Sequence, residues 1–273
     1  TSYLNSCIHK LPETSLENFY VNRFGRVLYG MFFEGYTEKL WGRHPREISA
    51  DWGAQRVKGL SISAVVKDMV GKILPGKKGR KVETSLIEEF IYPKYGPGQL
   101  WETAAAEIEK MGGHIKKHCK VTGIRTESGK VTALETIGEN GETHTVEGDI
   151  FISSMPLKDL VKGMGDTVPE DIQAIAEGLP YRDFVTVGLL LDHLNLKNLT
   201  KIRTLNNIVP DCWIYVQDTG VKLGRIQIFN NWSPYLVKDV DSKVWIGLEY
   251  FCKEGDDFWN LSKDKCVRLA VEE

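Results

Sequence analysis

The sequence predicts a protein of the α/β (α+β) class, with a helical N-terminal part, a mixed middle part and a β-rich C-terminal part. Three observations lead to this prediction. Apolar residues recur every three or four positions between residues 15 and 35, which is the spacing of an amphipathic helix. Short segments separated by Gly-containing turns follow between 114 and 153, and apolar segments of strand length dominate from residue 182 onward.

The same signals locate the other elements. Residues 36–59 are rich in Trp, Gly, Arg and His and predict irregular structure with short helices, and 74–81 predicts a basic, solvated loop. Further helices are expected at 61–73, at 99–111 before Gly112 and Gly113, at 157–178 with Pro169 in a first turn, and after the N-cap Ser262. Strands are expected at 114–124, 130–138, 143–147, 149–153, 184–191, 212–216, 225–229 and 244–251.

Composition excludes several classes of protein. The chain has 273 residues, 42% of them hydrophobic, and a net charge of -2, which argues against a disordered chain and against a nucleic-acid binder. It contains no apolar run of membrane-spanning length, and its first residues do not predict a signal peptide. Its five cysteines form no C-x-x-C pair, so we expect reduced thiols, no metal site and a cytoplasmic location.

Two clusters of aromatic and basic residues are candidate ligand sites. The first runs from Phe32 to Lys58 and contains Trp41 and Arg56, although an aromatic helix packed into a core is the more frequent explanation of such a cluster. In the second, Tyr215 lies ten residues before Arg225, so a hairpin would place both side chains on neighbouring strands. A phenol and a guanidinium together suit a diphosphate, and the alternative is a cross-strand pair with a surface arginine.

The glycine-rich segment Tyr95–Trp101 is the third candidate, because a glycine turn before a helix brings backbone N–H groups close to a phosphate or a ring. No G-x-G-x-x-G occurs, so the dinucleotide-binding fingerprint is absent from this chain. His114 and His118 are spaced four apart in an expected strand and do not predict a metal site. No Ser/His/Asp or Cys/His arrangement is evident, and the catalytic residues remain unassigned.

Taken together, the motifs resemble those of the FAD-dependent amine oxidase superfamily, which includes protoporphyrinogen oxidase-like proteins and UDP-galactopyranose mutases. The resemblance extends over nearly the whole chain and is greatest to the mutase-like branch. The motifs occur in the family's order: Tyr36-Thr-Glu-Lys-Leu-Trp-Gly42, Trp52-Gly-Ala-Gln-Arg56, Tyr95–Trp101, Ile152-Ser-Ser-Met-Pro156, Cys212-Trp-Ile-Tyr215 and Arg225–Tyr235.

The resemblance implies a flavoprotein-fold fragment that lacks the N-terminal βαβ unit and the C-terminal FAD segment. It assigns residues 1–92 to the helical part of a substrate domain, 93–157 to the returning part of the FAD-binding domain, and 158–273 to an antiparallel β-sheet part of the substrate domain. FAD is therefore expected in the full-length protein and not in this chain alone, which we expect to be inactive.

The resemblance also implies roles for individual residues. Residues expected to bind substrate are Trp41, Arg56, Trp213, Tyr215 and Arg225; those expected to lie at the cofactor are Gly96, Gly98, Trp101 and Val121. The implied function is a mutase-like flavoenzyme that binds a sugar nucleotide, such as a UDP-sugar, as its small-molecule partner. A flavin oxidoreductase of the amine oxidase or protoporphyrinogen oxidase type and a non-catalytic binding fragment are the alternatives. The oligomeric state is not predicted.

Overall fold

A computed structural model describes residues 2–56 and 90–273 and divides the chain into two compact units. Unit 1 combines Thr1–Leu100 with Arg182–Glu273, and unit 2 is Trp101–Tyr181. Residue 92 lies in unit 1 and residue 157 in unit 2, where the helix that begins at Leu157 packs on the sheet. The assignment of the three segments to a substrate domain and a flavin domain remains a prediction.

The described helices are mostly short. The α-helices are α1 (Ser2–Ile8), α2 (Leu16–Phe24), α3 (Arg26–Tyr29), α4 (Gly35–Trp41), α5 (Ala50–Arg56), α6 (Gly98–Lys110), α7 (Leu157–Met164), α8 (Glu170–Glu177), α9 (Phe229–Trp232) and α10 (Lys263–Glu272). A π-helical turn covers Gly30–Glu34, and 3-10 turns cover Pro45–Glu47, Gly165–Thr167, Leu205–Asn207 and Pro234–Leu236. The expected helix at 61–73 and loop at 74–81 lie outside the described residues.

The single helix expected at 15–35 is wrong, because Gly25 ends α2. Its φ of 81° and ψ of 155° lie in a region that essentially only glycine adopts. In addition, the backbone of Tyr3 occupies the space that a Cβ would need. The apolar residues of 15–35 nevertheless pack together as a hydrophobic core. Phe33 stacks on Tyr20 and Phe24, with ring centroids 4.5 and 4.8 Å apart.

Unit 1 also contains a four-stranded antiparallel sheet in the order β4-β7-β6-β5. Its strands are β4 (Asp183–Leu191), β5 (Trp213–Tyr215), β6 (Leu223–Ile228) and β7 (Val244–Cys252), which confirms the four C-terminal strands within a few residues. The inner face carries Val187, Ile226 and Leu248, and α10 contributes buried Cys266 and Ala270 to this core. Ser262 is the N-cap of α10, as expected.

Unit 2 is built on a three-stranded antiparallel sheet, β1 (Cys119–Glu127), β2 (Lys130–Gly138) and β3 (Thr143–Glu147). The first strand starts later than expected because His118 adopts a left-handed φ of 58°. The strand expected at 149–153 is wrong, since this segment is irregular. The helix at 99–111 is confirmed as α6, after which Gly112 adopts a φ of 89°.

The described residues contain no helix long and apolar enough to cross a membrane. Within the same ranges, no three His, Cys, Asp or Glu side chains are close enough together to hold a metal ion. All five cysteines carry free thiols.

Tyr29 offers a test of the helical core. Its ring is buried, its hydroxyl has no hydrogen-bond partner in the described part of the chain, and burial raises its pKa well above the ordinary value of 10.0. The folded state therefore keeps this proton above pH 10 while the unfolded state loses it, so stability falls as the pH rises through that region.

We expect Tyr29→Phe to raise the free energy of unfolding by about 1 kcal/mol at pH 7, because it removes an unpaired hydroxyl from the core. Between pH 10 and 11, the wild type should lose about 1 kcal/mol more stability than the variant. Urea unfolding of the wild type and the variant at pH 7, 10 and 11 measures both differences in stability. A variant less stable at pH 7 would show that the hydroxyl has a stabilising partner.

Candidate functional site

The outer face of the unit 1 sheet brings predicted site residues together. Tyr215 is the direct cross-strand partner of Arg225, which in turn pairs with Glu249 and then Thr186, giving a row across all four strands. Because alternate strand residues share a face, this row lies opposite the apolar core. The hairpin predicted from the ten-residue spacing of Tyr215 and Arg225 is confirmed.

Arg225 is not a free surface charge. Its Nε donates to Oε2 of Glu249 at 2.6 Å, and its Nη2 lies 2.5 Å from the same oxygen. Gln227 donates its side-chain amide to Oε1 of Glu249, whose side chain is almost completely buried. The guanidinium carbon of Arg225 lies 4.7 and 4.9 Å from the ring centroids of Trp213 and Phe251. Two rings and a buried carboxylate therefore fix its orientation.

The resemblance implies that Tyr215, Arg225 and Arg56 bind substrate, and this assignment stays a prediction. In the structure, Arg225 already has an anionic partner within the chain, Glu249. The signal that could have identified Glu249 is its position in Val244–Cys252, where it is the one charged residue in an apolar strand. Such a carboxylate requires a buried partner.

Helix α4 contributes Tyr36 to this face. Its ring packs edge-on against Tyr215, with centroids 5.3 Å apart. Its hydroxyl is buried without a hydrogen-bond partner among residues 2–56 and 90–273, and desolvation raises its pKa well above the usual range. Tyr36 is therefore a neutral phenol beside the Arg225–Glu249 pair at physiological pH.

Two cations hold α4 against the sheet. Lys39 donates from Nζ to the carbonyl oxygens of Val216, Asp218 and Leu223 at 3.2, 2.5 and 2.9 Å, and its burial lowers its pKa. Arg182 bonds the carbonyl oxygens of Lys39 and Leu40 at the end of the helix, at 3.2 and 3.0 Å. Both therefore engage backbone carbonyls rather than an open anion site.

Trp41 and Arg56 are placed differently. Trp41 packs edge-on against Trp52 with centroids 4.9 Å apart, and its indole Nε1 is buried without a partner in the described ranges. Arg56 is the last residue of α5, and its side chain lies outside the described part of the chain. Of the five expected substrate residues, the structure brings Trp213, Tyr215 and Arg225 into contact.

A further aromatic cluster adjoins Trp213. Its ring lies 5.8 Å from that of Trp232, which packs against Phe90 and Tyr92 at 5.4 and 5.2 Å. Trp232 was part of a sequence motif, whereas Phe90 and Tyr92 were not identified. The only signal for them was two aromatic residues just before the Tyr95 motif. Together these four rings, Phe90, Tyr92, Trp213 and Trp232, are termed the aromatic cluster.

The expected cofactor residues fall in two places. Val121 lines a cavity of about 430 Å³ in unit 2, together with Ile152, Met155 and other apolar side chains. Gly96 adopts a φ of 87° in the turn before α6, and Gly98 is the first residue of that helix. Trp101 is 71% exposed and does not line the cavity. The structure thus joins Val121 to the Ile152–Pro156 motif.

With this geometry established, comparison with solved structures identifies the fold. A crystal structure of reduced UDP-galactopyranose mutase matches with a TM-score of 0.74 and 17% identity, over 99% of this chain and 54% of that one. The chain has the fold of the corresponding part of this mutase. The match confirms the predicted fold class, with its helices, two antiparallel sheets and flavoprotein architecture.

Two other solved structures share the fold. A candidate protoporphyrinogen oxidase from Exiguobacterium sp. 255-15 matches with a TM-score of 0.62 and 11% identity, over 99% of this chain and 54% of that one. An oxidoreductase from Methanosarcina mazei matches with a TM-score of 0.57 and 12% identity, over 98% and 52%. The chain therefore spans about half the length of these proteins. No protein-family profile and no curated protein sequence matches it.

Proposed function

We propose that the full-length protein is a flavin-dependent enzyme of the UDP-galactopyranose mutase type, and that the outer face of the unit 1 sheet binds its sugar nucleotide. The observation that carries this proposal is the direct pairing of Tyr215 with Arg225 beside Trp213. The mutase fold supports it independently.

The exposed rings suit the neutral parts of such a ligand. Trp213 is 37% exposed and Tyr215 is 51% exposed, so each presents ring surface for stacking with a base or a sugar. Arg225 retains Nη1, which has no hydrogen-bond partner in the described residues, as a donor toward a phosphate oxygen. Binding and orientation of the nucleotide are the roles of these side chains.

The residues of unit 2 fit part of a flavin cofactor. The cavity beside Val121 is lined mainly by apolar side chains, with the hydroxyls of Ser153 and Ser154 at its edge, which suits a planar ring system. In an enzyme of this type, the reduced flavin supplies a nucleophilic nitrogen for the anomeric carbon of the sugar. Val121 would hold the adenine end of FAD, and Gly96, Gly98 and Trp101 remain proposed as flavin neighbours.

An oxidoreductase of the amine oxidase or protoporphyrinogen oxidase type is the second candidate. The aromatic cluster favours it, because four rings make an apolar wall suited to an uncharged substrate. In addition, the negative charge of Glu249 offsets the positive charge of Arg225, which weakens the attraction of this face for an anionic ligand. As a third candidate, the chain on its own acts only as a binding module without chemistry. Binding of UDP separates the first candidate from the second.

Trp213→Ala and Tyr215→Ala in the full-length protein are each expected to raise the dissociation constant for UDP about tenfold, since each removes a stacking surface. Titration calorimetry measures the constant, and flavin absorbance should stay unchanged. Trp259→Ala is the matched control, because this tryptophan is similarly exposed and makes no ring contact in the described residues. Absence of UDP binding to the wild type would eliminate the mutase-type proposal in favour of the oxidoreductase.

Arg56 keeps its proposed role from the sequence. An arginine there would add a positive charge to the diphosphate site that Glu249 does not compensate. We expect Arg56→Ala to weaken UDP binding in the same titration, again with the flavin content unchanged.

A further inference from the structure

Glu249 has a feature that diphosphate binding alone does not require. A binding site for an anion normally gains from an uncompensated cation, yet here a carboxylate with 1% exposure contacts Arg225, the arginine of the strand row. We propose that Glu249 is a specificity-determining residue that favours the diphosphate diester of a sugar nucleotide over the free nucleoside diphosphate. This inference rests on the function proposed above.

The two ligands differ in charge. The terminal phosphate of a free nucleoside diphosphate is a monoester with a second ionisation near pH 6, so it carries about one more negative charge at pH 7.5 than the sugar diester. A fixed carboxylate beside the phosphates repels the more highly charged ligand more strongly. Because Glu249 is buried, solvent and salt screen this repulsion less than they would at the surface.

The contacts of Glu249 hold its carboxylate in one position, so its repulsion of a phosphate persists when a ligand binds. Both carboxylate oxygens accept hydrogen bonds, one from Arg225 and one from Gln227, so the side chain has no alternative position to adopt when an anion arrives. The neighbouring phenol of Tyr36 is neutral, and Lys39 donates to backbone carbonyls. The strand row itself contains one cation, Arg225, and one anion, Glu249, whose charges sum to zero.

Glu249→Gln tests the proposal in the full-length protein. The amide of Gln227 can turn over and present its oxygen to the new amide, so the hydrogen-bond network survives while one negative charge is removed. We expect the dissociation constant for UDP to fall about tenfold, and that for UDP-galactose to fall less. The ratio of the two constants, measured by calorimetry at pH 7.5, should move toward UDP. The UDP affinity of the variant should also depend more steeply on salt.

Asp192→Asn is the matched control. It makes the same change in net charge, but Asp192 is an exposed partner of Lys243 about 20 Å along the strand direction from Thr186. We expect it to leave both dissociation constants unchanged. A purely structural role for Glu249 predicts weaker binding of both ligands to Glu249→Gln with an unchanged ratio, and that result would overturn the proposal.

If Glu249→Gln does not fold, the double variant Arg225→Gln with Glu249→Gln provides the answer. It keeps the zero charge of the row, so the ratio of the constants for UDP and UDP-galactose should match that of the wild type. A ratio shifted about tenfold against UDP would mean that Arg225 acts as an uncompensated cation, contrary to the proposal. Failure of the wild type to bind either ligand would instead reject the proposed function itself.

Discussion

Replacing Arg225 with leucine is expected to destabilise the protein by about 3–5 kcal/mol, because it leaves a buried carboxylate without its charge partner. Glu249 would then keep only the hydrogen bond from Gln227, in a position with 1% exposure. Leucine keeps an apolar side chain beside Trp213 and Phe251, so we expect the lost charge partner of Glu249 to cause most of the effect. Chemical unfolding of the wild type and the variant at pH 7 measures the difference.

The double variant Arg225→Leu with Glu249→Leu controls for this interpretation. Replacement of both members of a buried pair by apolar residues is often neutral, so we expect most of the lost stability to return. A double variant as unstable as Arg225→Leu would contradict the account of a buried ion pair. It would indicate instead that the row requires the shape of the arginine.

Gly25→Ala is expected to cost about 3 kcal/mol or more, for two independent reasons. The backbone at φ 81° and ψ 155° lies in a region essentially restricted to glycine. In addition, a Cβ would lie 2.8 Å from the backbone nitrogen of Tyr3 and 2.9 Å from its Cα, and backbone atoms cannot turn aside as a side chain could. We therefore expect separation of α1 from the α2–α3 junction and a lower midpoint of thermal unfolding.

Gly30→Ala provides the matched control in the same part of the chain. Gly30 has helical angles of -62° and -34°, and the nearest atom to its missing Cβ is a flexible carboxylate oxygen of Glu34 at 3.7 Å. We expect this substitution to stabilise the protein by about 0.4–1 kcal/mol, since alanine restricts the unfolded chain. Equal losses for both variants would show that the angles at Gly25 do not decide the effect.

The sequence predicted those parts of the fold that depend on local patterns. The four C-terminal strands and the pairing of Tyr215 with Arg225 follow from apolar segments and the length of the intervening turn. The expected long helix at 15–35 failed because its apolar spacing continues through Gly25, while the break arises from a long-range contact with Tyr3. The expected strand at 149–153 has a suitable composition but no paired strand.

The candidate site was predicted less completely. Trp213, Tyr215 and Arg225 were found from their motif, yet the partner of Arg225 lies 24 positions away on another strand. Nothing in the local pattern specifies that Glu249 pairs with this arginine rather than with another cation. The aromatic contacts of Phe90 and Tyr92 with Trp232 likewise depend on the tertiary fold.

A crystal structure of the full-length protein bound to UDP-galactose tests the central proposal most directly. We predict the nucleotide on the outer face of the unit 1 sheet, with a ring of the ligand against Trp213 or Tyr215 and a phosphate oxygen within hydrogen-bond distance of Arg225 Nη1. Glu249 should keep its contacts with Arg225 and Gln227. A ligand bound elsewhere, with Trp213, Tyr215 and Arg225 untouched, would contradict the assignment of this face as the substrate site.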